Sequence, residues 1–351
     1  MPASASKKSS APFVALVAVV ALCFAALAAC AGQDDDAGGA APRKPTATKT
    51  PNRSPSATPS PTPTRTAATS PLTGLSGKWR RPVLAVKIDN VGQARPQTGL
   101  ASADLIYVEQ VEAGLARLMA VFSSRLPSTV GPVRSARESD LEVLRQFGQP
   151  AFAYSGANSR LLPVIARAPL HDVSPAHAGS PYFRGDSRPA PHNLYASPKG
   201  LLADAPKAST ARDIGFRFGD APEGGRKVSS ETVRYPAFRV GFRWSASERR
   251  WLVSMDGDPV RMTGGAPPKP ATVVVQNVAR KPSKLGDKWG NITPNFASVG
   301  KGKALVLRDG RAYDARWSRP RATGGTTFTT PAGKPMTFAP GQVWVVFKLP
   351  S

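Results

Sequence analysis

The chain has 351 residues, with 47 Lys and Arg against 23 Asp and Glu, a formal net charge of +24. That length suits one large or two modest domains, at roughly 100–200 residues each. Two cysteines, Cys23 and Cys30, exclude a disulfide-stapled mini-protein, and a single long apolar run excludes a multi-pass membrane protein.

The apolar run is N-terminal. Lys7 and Lys8 precede Ala11–Ala29, which is nearly all Ala, Val, Leu and Phe, and the run closes on Leu27-Ala28-Ala29-Cys30. Small residues followed by cysteine form a bacterial lipobox, so residues 1–29 read as a lipoprotein signal peptide and Cys30 as the acylated first mature residue. Two alternatives stay open: an ordinary signal peptide cut at an Ala-x-Ala site, and a transmembrane helix. The lipobox predicts a lipid anchor on the extracytoplasmic face of the cell membrane, and a mature chain with no free thiol.

Residues 30–70 read as a tether. Pro recurs at 42, 45, 51, 55, 59, 61 and 63 among Thr, Ser and Ala, with no large apolar residue. Such a composition cannot bury enough surface to offset the entropy of ordering.

The folded part divides near residue 225. Residues 71–225 carry 18 basic and 13 acidic groups, whereas residues 226–351 carry 22 and 7. In the cytoplasm such a field would suggest nucleic acid. Outside the membrane no nucleic acid is expected, and the available partners are anionic lipid, acidic wall polymer or another envelope protein. A basic surface with no dedicated partner is the alternative.

Periodicity gives a mixed α and β first part. Pro82–Ile88, Leu105–Val111, Leu115–Phe122 and Ala151–Tyr154 read as strands, with Glu112-Ala113-Gly114 as a hairpin turn. Glu138–Phe147 has the apolar spacing of an amphipathic helix, with Ser135-x-x-Glu138 as its capping box, and Arg160–Ala166 reads as a short helix. Residues 168–200, which hold all three histidines, read as a long functional loop. Beyond residue 230 the pattern is almost all β: Phe238–Trp244, Trp251–Met255, Ala271–Val278, Ala304–Leu307 with an Asp309-Gly310 turn, and Val343–Leu349.

Several motifs carry a resemblance. RPQTGL (Arg95–Leu100), ADLIY (Ala103–Tyr107), GPVRSAR (Gly131–Arg137), Phe183-Arg184 and RPAPHNLY (Arg188–Tyr195) resemble the signature of the YerB-like lipoproteins. So do GKALV (Gly302–Val306), Trp317 and GQVW (Gly341–Trp344). The resemblance spans about residues 71–351. It implies two consecutive parts, 71–225 and 226–351, in a β-rich α+β fold layered as sheet, sheet and helix. It implies no function, because the family's residues have no agreed roles. Gln110 departs from it, standing where an apolar residue is expected between the two glutamates.

The candidate residues are therefore read from their own chemistry. Arg134 and Arg137 flank Ser135 at the start of the predicted helix, where two guanidinium forks would make an anion pocket. The alternative is structural pairing with Glu109, Glu112 or Asp186. Arg188, His192 and Asn193 complete the binding candidates, with Asn193 orienting His192 for general acid–base work; a hydrogen-bonding strut is the other reading of His192. His171, His177 and Asp172 are too few for a metal site, and no metal or other cofactor is expected. Ser298-x-x-Lys301 matches a tetrad of penicillin-recognising enzymes, but its companion motifs are missing. Two functions follow: a surface lipoprotein that binds an anionic envelope component or an envelope protein, or a wall-directed hydrolase or transferase using Glu109, Glu112 or Asp186 with His192.

Overall fold

The apolar runs form strands covered on both faces because they lie in the middle of one large sheet. The computed structural model describes residues 68–77, 79–287 and 290–350. The signal run, Cys30 and the tether up to residue 67 lie outside the described residues.

In chain order the first part forms β1 (Leu84–Ile88), β2 (Leu105–Gln110), β3 (Ala116–Phe122), α1 (Glu138–Leu144), β4 (Ala151–Ala153) and α2 (Leu162–Ala166). There follow β5 (His171–Asp172), β6 (Tyr182–Arg184), β7 (Leu194–Ala196) and α3 (Pro198–Ala203). The described residues beyond 225 form strands: β8 (Arg226–Lys227), β9 (Ser230–Tyr235), β10 (Phe238–Ser245), β11 (Arg250–Met255), β12 (Asp258–Pro259) and β13 (Thr272–Asn277). The last are β14 (Ala279–Lys281), β15 (Asn295–Ala297), β16 (Gly300–Arg308), β17 (Arg311–Arg319), β18 (Thr327–Thr329) and β19 (Val343–Lys348).

Ten of these strands run in the order β18-β17-β16-β13-β19-β2-β3-β1-β4-β5, and β8 adds to β17. The last strand, β19, inserts in parallel between β13 and β2, so strands from both parts of the chain share one sheet. Its sequence VWVVFK and the TVVVQN of β13 are near-continuous apolar runs, as central parallel strands covered on both sides require. β12-β11-β10-β9 form a second, four-stranded antiparallel sheet.

Alternation along the strands sorts the core into two layers. Val86, Ile106, Leu118 and Trp344 face the small sheet and pack with its Val240, Phe242 and Val253. The Phe242 and Trp344 rings meet edge to face, 5.8 Å apart, and Tyr235 donates its hydroxyl to the Phe347 carbonyl at 2.7 Å. Leu105, Tyr107, Met119 and Val345 face the other way and pack with Val143, Leu144 and Phe147 around α1 and Ile165 on α2. The fold is thus β-rich α+β, layered as sheet, sheet and helix.

Local chemistry departs from the sequence reading at two places. The helix is capped by Asp140, whose carboxylate accepts the Arg137 N–H at 2.6 Å, rather than by the Ser135–Glu138 pair; Glu138 is the first helical residue, two positions too early to reach back. Residues 168–200 are not one irregular loop. They form the short β5, β6 and β7 and begin α3, each too brief to show a period in the sequence.

Candidate functional site

Alternation that places Leu105 and Tyr107 on the helix-covered face also places Glu109 there, and Lys87 on β1 likewise follows Val83 and Ala85. Lys87 Nζ lies 2.7 Å from Glu109 Oε2 and 2.6 Å from Asp140 Oδ1, with all three side chains fully buried. Ser139 Oγ donates to the same Glu109 oxygen at 3.3 Å, and Glu109 Oε1 has no hydrogen-bond partner among the described residues. Burial, reinforced by the Asp140 charge and only partly offset by Lys87, pushes the Glu109 carboxyl up to about 8. One ammonium thus serves two carboxylates, and helix α1 is pinned to the sheet through it.

Arg137 and Glu112 form a second pair at the end of β2. Arg137 Nε lies 2.7 Å from Glu112 Oε1, Nη2 donates to Oε2 at 2.7 Å, and Thr293 Oγ1 donates to Oε1 at 2.5 Å. Burial pushes Glu112 up, but the Arg137 hydrogen bonds and charge outweigh it and hold the carboxyl below its usual range. The guanidinium that would grip an external anion is therefore engaged inside the fold, by Glu112 through Nη2 and by the Ala136 carbonyl through Nη1 at 2.9 Å. Arg117, opposite Glu109 across the β2–β3 ladder, donates to the Ser135 carbonyl at 2.9 Å. Burial and the nearby Arg137 and Arg134 charges lower its pKa to about 9.

A third group gathers on Asp89, just past β1. The buried Asp89 Oδ2 lies 2.8 Å from His192 Nδ1 and 3.1 Å from Arg134 Nε, while Oδ1 accepts the Asn90 N–H at 2.9 Å. The Asp89 carboxylate thus faces the Nδ1 edge of the His192 ring. Asn193 does not orient this ring; its amide donates to the Gly185 carbonyl at 2.9 Å and accepts from Arg184 at 2.7 Å. Arg188 donates to the Ala94 and Pro96 carbonyls at 2.5 and 3.1 Å, and Asp186 is exposed with no ion pair among the described residues.

Together these are four cationic and four acidic side chains, Lys87, Arg117, Arg134 and Arg137 with Asp89, Glu109, Glu112 and Asp140. The cavity of about 450 Å³ beside α1 is lined by Glu112, Ser135 and Arg137, while Arg134 and His192 lie outside it. Chemically, the Asp89–His192 pair has the form of a held general base, yet no described hydroxyl or thiol lies within hydrogen-bond reach of it. Among the described residues no group of three His, Cys, Asp or Glu side chains could hold a metal ion. Ser298 of the Ser-x-x-Lys tetrad donates to Glu142 at 2.9 Å and accepts from Arg319 at 3.0 Å, a structural role. Lys87, Asp89, Arg117 and Asp140 were not singled out from the sequence. The available signal was a charge inside an apolar strand, as in PVLAVKID.

Comparison with known proteins gives the same frame. Residues 72–212 match the N-terminal domain and residues 231–345 the C-terminal domain of a protein of unknown function (DUF3048). "Putative lipoprotein YerB" of Bacillus subtilis (strain 168) is 27% identical over 289 residues, covering 79% of this chain and 85% of that protein. The crystal structure of YerB protein from Bacillus subtilis matches with a TM-score of 0.67 at 23% identity, over 80% of this chain and 96% of that one. The two domains in this order, the shared fold and the GPVRSAR and APHNLY motifs place the chain in the YerB-like family.

Proposed function

We propose that this is a lipid-anchored extracytoplasmic protein that binds a phosphate-bearing polyanion of the envelope through the outer face of its small sheet. The Leu-Ala-Ala-Cys30 motif and the relative's printed name support the anchor. One observation carries the binding reading: Arg234 on β9 stands directly opposite Arg239 on β10, both exposed, with Arg243 farther along the same face. Like charges directly opposite across a ladder are destabilising. No described carboxylate forms an ion pair with any of the three; Arg239 donates to the Asp256 carbonyl at 2.9 Å instead. Between them lie Gly241, Thr232 and Ser254, so the guanidinium forks stand above a low, polar centre suited to phosphate oxygens. Lys303 faces Arg316 in the same way on β16 and β17.

The cluster at α1 supports binding over hydrolysis. Glu109 is sealed against Lys87 and Glu112 is paired with Arg137, so neither carboxyl group is free to flank a glycosidic bond. The test uses the full chain with two probes, phosphatidylglycerol-containing vesicles and soluble polyphosphate, which separate a lipid from a polymer source. Doubly charge-reversed Arg234→Glu/Arg239→Glu protein should lose binding to whichever probe the wild type binds. Binding unchanged in the variant, or wild type that binds neither probe at low salt, contradicts the reading.

A further inference from the structure

Helices α1 and α2 and the residues around Leu285 leave a trough between them. Its larger part is a cavity of about 580 Å³ floored by Leu141, Leu161, Val164 and Leu285. It adjoins the cavity beside Glu112, with which it shares Glu138, Leu161 and Leu285. Few large apolar side chains of the described residues are exposed, and one of the five, Val164 on α2 at 53%, lines this trough.

The rim has a definite sign. Arg145, Arg160 and Arg167 line the trough, are exposed, and form no ion pair among the described residues. The acidic residues at the rim are spoken for within the fold. Glu142 binds Lys281 at 2.7 Å and the Ser298 and Val299 N–H groups at 2.6 and 3.0 Å, and Glu138 accepts from Ser283. The trough therefore offers apolar contact along its floor and unneutralised guanidinium groups along its edge.

We propose that this trough binds an acidic, amphipathic peptide segment of a partner protein in extended form. An extended chain points alternate side chains to opposite sides, so apolar residues can seat over Val164 and Leu285 while carboxylates meet the arginines. The distribution of charge favours a chain over a lipid. Arg160 and Arg167 flank α2, whose five residues alone rise about 7.5 Å, and Arg145 follows α1, so the cations are strung out rather than gathered about one headgroup. This site is independent of the small-sheet face.

The test is fluorescence anisotropy on the full-length protein with a labelled peptide of alternating Glu and Leu, its Lys and Leu counterpart, and laurate as a lipid competitor. The Glu–Leu peptide should bind and the Lys–Leu peptide should not. Arg160→Glu/Arg167→Glu and, separately, Val164→Asp should each weaken binding by about tenfold or more, with melting temperatures near wild type because all three side chains are exposed. Arg234→Glu/Arg239→Glu should leave peptide binding unchanged, which separates this site from the small-sheet reading. Equal binding of both peptides, no binding of the acidic one, no effect of the trough variants, displacement by laurate, or self-association lost in Val164→Asp would each overturn the proposal.

Discussion

Arg137 donates from Nη2 to Glu112 Oε2 at 2.7 Å, and its Nε lies 2.7 Å from the other carboxylate oxygen as an ion-pair contact. The side chains are 13% and 7% exposed, so water screens the pair little. Removing one partner strands a mostly buried charge, at a cost of roughly 3 kcal/mol, the low end for a buried pair. For a body of this size that is about 6–12 °C of melting temperature. Arg137→Ala should therefore melt well below wild type, and Arg137→Ala/Glu112→Ala should recover part of the loss in a double-mutant cycle. A drop of a degree or two for the single variant would mean the arginine is held for a ligand instead.

Glu109 gives a pH dependence whose sign follows from its environment. Its folded pKa is raised from 4.5 to about 8, so between these values the folded state holds a proton that the unfolded state has lost. Its contribution to stability is greatest below pH 4.5, declines as pH rises and is fully lost above about 8, at up to about 1.4 kcal/mol per pH unit. Glu109→Gln removes this titration. In urea unfolding between pH 5 and 8.5, the variant should lose less stability than wild type as pH rises. Parallel pH profiles would contradict the assignment.

Asp89 and His192 differ in what they leave behind. Asp89→Ala removes the carboxylate that serves His192, Arg134 and the Asn90 N–H, and should cost roughly 3 kcal/mol. His192→Ala removes one partner from a carboxylate that keeps the Arg134 charge and the Asn90 N–H, and should cost about 1 kcal/mol. Chemical denaturation of the two variants measures the difference. A larger loss for His192→Ala would place the histidine, rather than the aspartate, at the centre of the group.

Cys30→Ala tests the anchor. The variant should appear in the medium or remain unprocessed, read by fractionation and by the mass of the N-terminal peptide. Processed protein that still partitions with membrane would remove the lipid from the account.

Much of the layering was legible in the residues. PVLAVKI, LIYVEQV and LARLMAVF read as strands because apolar and β-branched residues run together, and the 3.6-residue spacing of Leu141, Leu144 and Phe147 marks the helix. The joining of the two parts was not legible. β13 and β19 are apolar on both faces, so alternation cannot say which neighbour either takes, and the pairing of Val343 with both Thr272 and Leu105 is set by contacts between residues far apart in sequence. The same reason hid the charged cluster. Arg137 and Glu112 were visible as candidates, but Lys87 draws its meaning from Glu109 and Asp140, residues 22 and 53 positions away. For Arg134 the sequence offers an anion pocket or pairing with Glu109, Glu112 or Asp186, and it meets Asp89 instead because β1 ends beside the GPVRSAR segment.

The shared sheet also decides how binding must be measured. Because β13 and β19 pair into the same sheet as β2, residues 226–351 belong in the full chain for any binding assay. The most direct test is the salt dependence of polyphosphate binding by full-length wild type and by Arg234→Ala/Arg239→Ala/Arg243→Ala. At about 0.5 M salt the Debye length shortens to roughly 4 Å, and wild-type binding should be lost. The triple variant should bind more weakly at low salt and show a shallower dependence on salt, because fewer counterions exchange. Identical affinity and identical salt dependence in the two proteins would contradict the assignment of binding to this face.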